Sequence, residues 1–100
     1  MLTRIDVAKV VNQYIGVSDG YLGDFSYRKH FDFYPDFCDL DIDPNVFPGT
    51  TRERFIHILP TSKPDVQARI LRGVLKHYPP PEAVESPKSN VATAIEHLIP

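Results

Sequence analysis

Tryptophan is absent from this chain, and cysteine and methionine occur once each among its 100 residues. The single Cys38 excludes an internal disulfide and any cysteine-built zinc centre within the chain. Flanked by Phe37 and Asp39 in an aromatic stretch, it reads as a small buried hydrophobe. No apolar run approaches the ~20 residues that cross a bilayer and no charged-then-apolar leader opens the chain, so the reading expects no membrane contact and a reducing, cytoplasmic setting. Glycine is sparse, at five residues, and none falls into the GxxxxGK or GxGxxG loops that cradle phosphates. No GxSxG setting frames a serine as a nucleophile. A surplus of positive charge is missing too. The net charge is −2, whereas a general nucleic-acid binder needs a positive excess to displace counterions.

What is present fits one folded domain. The chain is 42% hydrophobic and 24% charged, which excludes wholesale disorder, and its length suits a single core. Thr3 with Asp6, and Thr50 with Glu53, have the hydroxyl-then-acid spacing of a capping box. Val7, Ala8, Val11, Tyr14 and Ile15 share one helical face that stops at Gly16. Residues 17–24 read as a tight turn. Ser26 opens a short helix that ends near Pro35, its inward face formed by Tyr27, Phe31 and Tyr34. The alternation Asp39-Leu40-Asp41-Ile42-Asp43 predicts a brief extended segment with Leu40 and Ile42 inward. A helix from Thr50 carries Phe55, Ile56, Ile58 and Leu59 and stops at Pro60. The next is capped by Ser62, with Pro64 in its first turn. Its apolar positions Val66, Ile70, Leu71, Val74, Leu75 and Tyr78 keep a period of 3.6, and Gly73 among them marks close packing by another element. The expected fold is all-α, about five short helices in a compact array. Residues 1–78 form one helical unit, 79–90 a proline-rich connector, and 91–100 the start of a C-terminal helix. The apolar ending Leu98-Ile99-Pro100 is what a chain cut from a longer polypeptide would show.

Chemistry-bearing patterns are few. Asp39-x-Asp41-x-Asp43 begins like a calcium loop, but Pro44 stands where the loop needs glycine and Thr50 where it needs glutamate. His30, His57, His77 and His97 lack metal-ligand spacing and catalytic partners. Catalysis, metal and cofactor are therefore not expected. Arg69, Arg72 and Lys76, at i, i+3 and i+7, share one helix face. That face can meet water, a protein partner, the acidic residues Asp39, Asp41 and Asp43, or phosphates together with Arg52 and Arg54. Charge is also uneven, with four Lys/Arg against eight Asp/Glu in residues 1–50 and seven against five in residues 51–100. Complementary faces within one molecule or between copies in a homo-oligomer would follow.

One set of residues resembles a known family. Tyr14-Ile15-Gly16-Val17, Gly20 to Tyr27, Phe33-Tyr34-Pro35, Asp39-Leu40-Asp41 and Gly49 to Phe55 resemble the small domain at the N-terminus of abortive-infection phage-defence proteins of the AbiJ type. Arg69 to Leu75 extends the likeness. The resemblance implies a non-catalytic accessory domain that senses infection or tethers an effector further along the polypeptide. It implies structural roles for Gly20 and Gly23 in the turn and for Tyr21, Phe25 and Tyr34 in the core. The reading that follows is a protein-interaction or sensing module, with a nucleic-acid-binding helical domain as its rival.

Overall fold

Hydroxyl caps start three of the helices where the sequence puts them. In the computed structural model, which describes residues 2–18, 21–78 and 87–99, the Thr3 hydroxyl accepts from the Asp6 amide at 3.1 Å and the Asp6 carboxylate accepts from the Thr3 amide at 2.9 Å. This reciprocal pair opens α1 (residues 4–15), α-helical over Arg4–Ala8 and π-helical over Lys9–Ile15. Gly16 ends it at φ 89°, a left-handed angle that favours glycine. Its amide reaches the Val11 carbonyl at 2.8 Å, the wide i→i+5 bond of a π-turn. Two short strands follow, β1 (Val17–Ser18) and β2 (Tyr21–Leu22), paired antiparallel with Val17 opposite Leu22. Residues 19 and 20 lie outside the described residues.

Helix α2 (residues 27–38) is capped by the Ser26 hydroxyl, which accepts from the Lys29 amide at 3.1 Å. It is α-helical over Tyr27–Phe33 and does not end at Pro35 but continues as a π-turn over Tyr34–Cys38. Proline lacks the N–H of the regular ladder and crowds the preceding turn. A locally wider helix accommodates both defects. Continuation rotates the buried face away from the one expected. His30, Phe33, Tyr34 and Cys38 are buried, while Tyr27 is exposed and Phe31 only half-buried.

The alternating stretch after α2 pairs with no strand among the described residues, so the extended segment expected at residues 39–43 is not part of a sheet. Asp39 instead adopts a left-handed conformation at φ 55°. Its amide and that of Leu40 both bond the Tyr34 carbonyl, closing the helix end. Leu40 and Ile42 do pack against the core. Asp43 caps a single 3₁₀ turn over Pro44–Val46.

Thr50 and Glu53 form the second capping box, opening α3 (Thr51–Thr61). Pro60 lies inside its last turn rather than ending it. The Thr61 hydroxyl donates to the His57 carbonyl and that of Ser62 to the Ile58 carbonyl, both at 2.6 Å. Ser62 is thus occupied at the end of α3, and α4 (Pro64–His77) starts from Lys63 without a side-chain cap. Its first-turn proline pre-sets the backbone angle.

Helix α4 lies hard against the end of α2. A Cβ on Gly73 would collide with Cys38 Sγ and stand 3.1 Å from the Phe37 carbonyl oxygen. The last helix, α5 (Pro87–Leu98), begins four residues before the expected Val91. Its Ala92 and Ile95 are buried in the same cluster as residues of α1 and α4. The boundary drawn at residue 78 therefore does not divide the core. No helix among the described residues is long and apolar enough to cross a membrane.

Phe33→Ala should cost about 3–5 kcal/mol in urea unfolding, as for other buried aromatics, and Phe31→Ala, half-buried, markedly less. Gly73→Ala should cost about 1–3 kcal/mol by overpacking. Adding Cys38→Ala should return part of that loss, and a strictly additive double variant would show that the sulfur is not what a new methyl meets.

Candidate functional site

Burial of Ile70, Leu71 and Val74 leaves Arg69, Arg72 and Lys76 exposed on the opposite side of α4. Close packing at Gly73 sets this stripe beside the end of α2. Together with Pro35, Asp36, Phe37 and Asp39, the three cations line a surface cleft of about 390 Å³. Arg69 Nη1 donates to the Asp39 carbonyl oxygen at 3.3 Å, where the α2 terminus concentrates partial negative charge. Among the described residues, no carboxylate comes within ion-pairing distance of any of the three.

The three aspartates read from sequence do not stay together. Asp39 borders the cleft but meets Arg69 through its backbone. Asp41 shares an adjoining hollow with Asp39, Pro35 and Leu40, so only Asp43 stands apart from the other two. The Asp43 carboxylate accepts from the Asn45 amide at 2.9 Å. Among the described residues, no three His, Cys, Asp or Glu side chains are grouped so as to hold a metal. Cys38 also borders the cleft, but burial pushes its thiol up to about 12. The protonated thiol is a poor nucleophile.

Arg52 and Arg54 are not in this cleft. Arg54 donates to Asn45 Oδ1 at 2.9 Å and its guanidinium lies 4.5 Å from the centre of the Tyr27 ring. Arg52 instead borders a second concavity, about 410 Å³ between α1 and α3, with Val7, Ala8, Val11, Ile56 and Pro60 along it and Arg4 at its edge. The sequence reading missed this groove. Ala8, expected to face the core, is exposed.

The histidines are also dispersed. His30 is fully buried, stacked on Phe25 at 5.6 Å with Nε2 2.8 Å from the Tyr34 hydroxyl. Its Nδ1 and the Nε of Arg54 are buried without a hydrogen-bond partner. Burial, aided by the Arg54 charge, lowers its pKa to about 4. His77 sets its ring edge-on to Phe37 and lies 3.8 Å from the Asp24 carboxylate. That carboxylate accepts from the Tyr78 hydroxyl and from Lys29, and the tyrosine bond holds it below the usual carboxylate range. His57 packs on Phe47, and His97 is exposed on α5. Each histidine has a packing or surface position of its own. No family model matches the chain, and comparison with curated proteins and with solved structures returns no match.

The buried imidazole gives a pH dependence. In the unfolded chain it takes a proton near pH ~6.5, in the folded protein only near 4. Between those values the unfolded state binds more protons, so stability is full above about pH 6.5 and falls as pH drops toward 4. The loss should approach ~3 kcal/mol. Urea unfolding from pH 7.5 to 4.5 should show this decline in the native chain and a flatter profile in His30→Gln. Parallel profiles would show that His30 does not carry it.

Proposed function

We infer that this domain is a non-catalytic docking module that takes an acidic protein segment into the α2–α4 cleft. In that reading it is the sensing or tethering unit of a cytoplasmic abortive-infection protein, coupling a trigger to an effector region of the same polypeptide. One observation carries the docking part: Arg69, Arg72 and Lys76 line one side of a cleft, and among the described residues no carboxylate, those of Asp36 and Asp39 in the same lining included, comes within ion-pairing distance of them. Unpaired cations at a concave surface favour a carboxylate-bearing partner through complementary potential. The defence setting rests on the resemblance of residues 14–17, 20–27, 33–35 and 49–55 to the AbiJ-type domain. An acidic surface on a second copy meets the same cations, so a homo-oligomer belongs to the same reading.

The rival is nucleic acid. A phosphate backbone calls for a continuous basic track. Arg54 is held against Tyr27 and Asn45, and Arg52 borders the other groove. Three cations at one cleft on a chain of net charge −2 make a weak electrostatic footprint.

The test reverses charge at Arg72 and Lys76, sparing Arg69 because it also bonds the end of α2. The Arg72→Glu, Lys76→Glu chain should fold as the native one does, since exposed charges contribute little stability. It should lose the phage resistance conferred by the parent polypeptide. Fluorescence anisotropy with short DNA and RNA, duplex and single-stranded, at about 0.15 M salt should detect no binding tighter than ~10⁻⁴ M. Micromolar binding that weakens steeply with added salt would put the nucleic-acid reading first.

A further inference from the structure

The α1–α3 groove has a chemistry different from that of the cleft. Between its cations the lining is mostly apolar, with Ala8 on one wall, Ile56 and Pro60 on the other, the buried Val7 and Val11 beneath, and Asn12 as its uncharged polar residue. Ile5, one helical turn before Ala8 on α1, is 69% exposed. A large aliphatic side chain held in water beside an open apolar groove is surface left without a partner.

Cations stand at its two ends. Arg4 lies in the first turn of α1, and Arg52 reaches Asn12 Oδ1 at 3.5 Å, eight residues further along the same helix. At no more than ~1.5 Å per residue, since the π-helical stretch after Ala8 rises less, the two backbone positions are at most about 12 Å apart along α1. Among the described residues neither guanidinium is within ion-pairing distance of a carboxylate.

An apolar channel between two helices with a cation at each end prescribes its occupant. A third helix lays a ridge of side chains into the valley between two others. Residues seven or eight apart on such a helix lie about 10–12 Å apart on one face, matching the Arg4-to-Arg52 spacing. Residues three and four positions in fall between them, over the apolar floor. We propose that the α1–α3 groove binds a two-turn amphipathic helix of a partner protein, with carboxylates seven or eight residues apart contacting Arg4 and Arg52 and apolar side chains between them on Ala8, Ile56 and Pro60. This surface shares no residue with the α2–α4 cleft and does not depend on the reading of that cleft.

The experiment titrates the full ¹⁵N-labelled chain with synthetic helical peptides that differ only in spacing. Two glutamates sit four, seven, eight or eleven residues apart around a central leucine pair, and a further peptide carries lysines at the seven-residue spacing. Peptides spaced seven or eight should bind, shifting the amides of Val7, Ala8, Val11 and Ile56, while the other spacings bind roughly two- to fivefold more weakly. Arg4→Glu, Arg52→Glu, with its circular dichroism unchanged, should lose the glutamate peptides by roughly tenfold and gain the lysine peptide. The Arg72→Glu, Lys76→Glu chain should bind as the native one does, which separates this groove from the cleft. Indifference to spacing, shifts located elsewhere, no binding by any peptide, or no exchange of preference on charge reversal each overturns the proposal. So does concentration-dependent dimerisation in sedimentation velocity that perturbs these same amides without peptide, since the occupant would then be a second copy.

Discussion

Helix α4 approaches the end of α2 more closely than any side chain at residue 73 would allow, and the arrangement of the candidate surfaces depends on that approach. Gly73 lets the α4 backbone lie against Cys38 Sγ and the Phe37 carbonyl. Those two atoms are where they are because the end of α2 is wound as a π-turn over Tyr34–Cys38, and the turn is wide where Pro35 interrupts the regular ladder. Proline, wide turn, sulfur and glycine thus form one chain of steric causes. Its consequence at the surface is that Arg69, Arg72 and Lys76 stand beside a helix C-terminus, where exposed carbonyls favour cations. A stripe of the same three residues on an isolated helix would be solvated charge without a wall to make a cleft.

The same turn explains the aromatic interior. Once α2 continues through Pro35, His30, Phe33 and Tyr34 point inward together, and Phe33 stacks on Phe37 at 6.0 Å. A tyrosine so deeply buried needs a partner for its hydroxyl, and His30, one turn earlier on the same helix, lies at 2.8 Å from it. The imidazole serves that hydroxyl as a neutral ring stacked on Phe25, and burial keeps it neutral. The polar pair is internal to the core rather than poised for chemistry.

Local rules were legible in the sequence and tertiary ones were not. Thr3, Ser26 and Thr50 cap helices as their spacing foretells, Gly16 stops α1, and Gly73 marks a close approach, because each depends on a few neighbouring residues or on the one residue without a side chain. Pro35 and Pro60 mislead as stop signals, since a π-turn and back-bonding hydroxyls absorb them. Ser62, read as the cap of α4, is engaged by α3. The inward face of α2 was misassigned because His30 was not counted as core and Phe37 lay beyond a presumed break. Helix α5 starts at Pro87 because a first-turn proline is tolerated where the pattern of apolar residues has not yet begun. The basic stripe follows from a 3.6-residue period and so was visible. That Asp43 is spent capping a 3₁₀ turn, and Asp41 lies in a hollow adjoining the cleft rather than in it, depends on local turns no period announces. The α1–α3 groove exists only where two helices distant in sequence come together, and no pattern within either helix announces it.

The two concave surfaces are built on different helix pairs, yet the helices that form them are joined. The Tyr14 hydroxyl of α1 donates to the backbone carbonyl of Tyr78 at the end of α4, and the Tyr78 hydroxyl donates to Asp24 after β2. One tyrosine therefore fixes α1, the ribbon and α4 to each other through its main chain and its side chain. Helix α1 forms a wall of the groove and α4 a wall of the cleft, so the two surfaces are held in a set geometry by these bonds and by the core beneath them. A rigid connection by itself transmits no preference: two ligands influence each other only if each binds two arrangements of the protein with different affinity. The bonds at Tyr78 instead make the domain a bracket, holding two concave surfaces of distinct chemistry, one basic and one mostly apolar with cationic ends, at a fixed relation to one another.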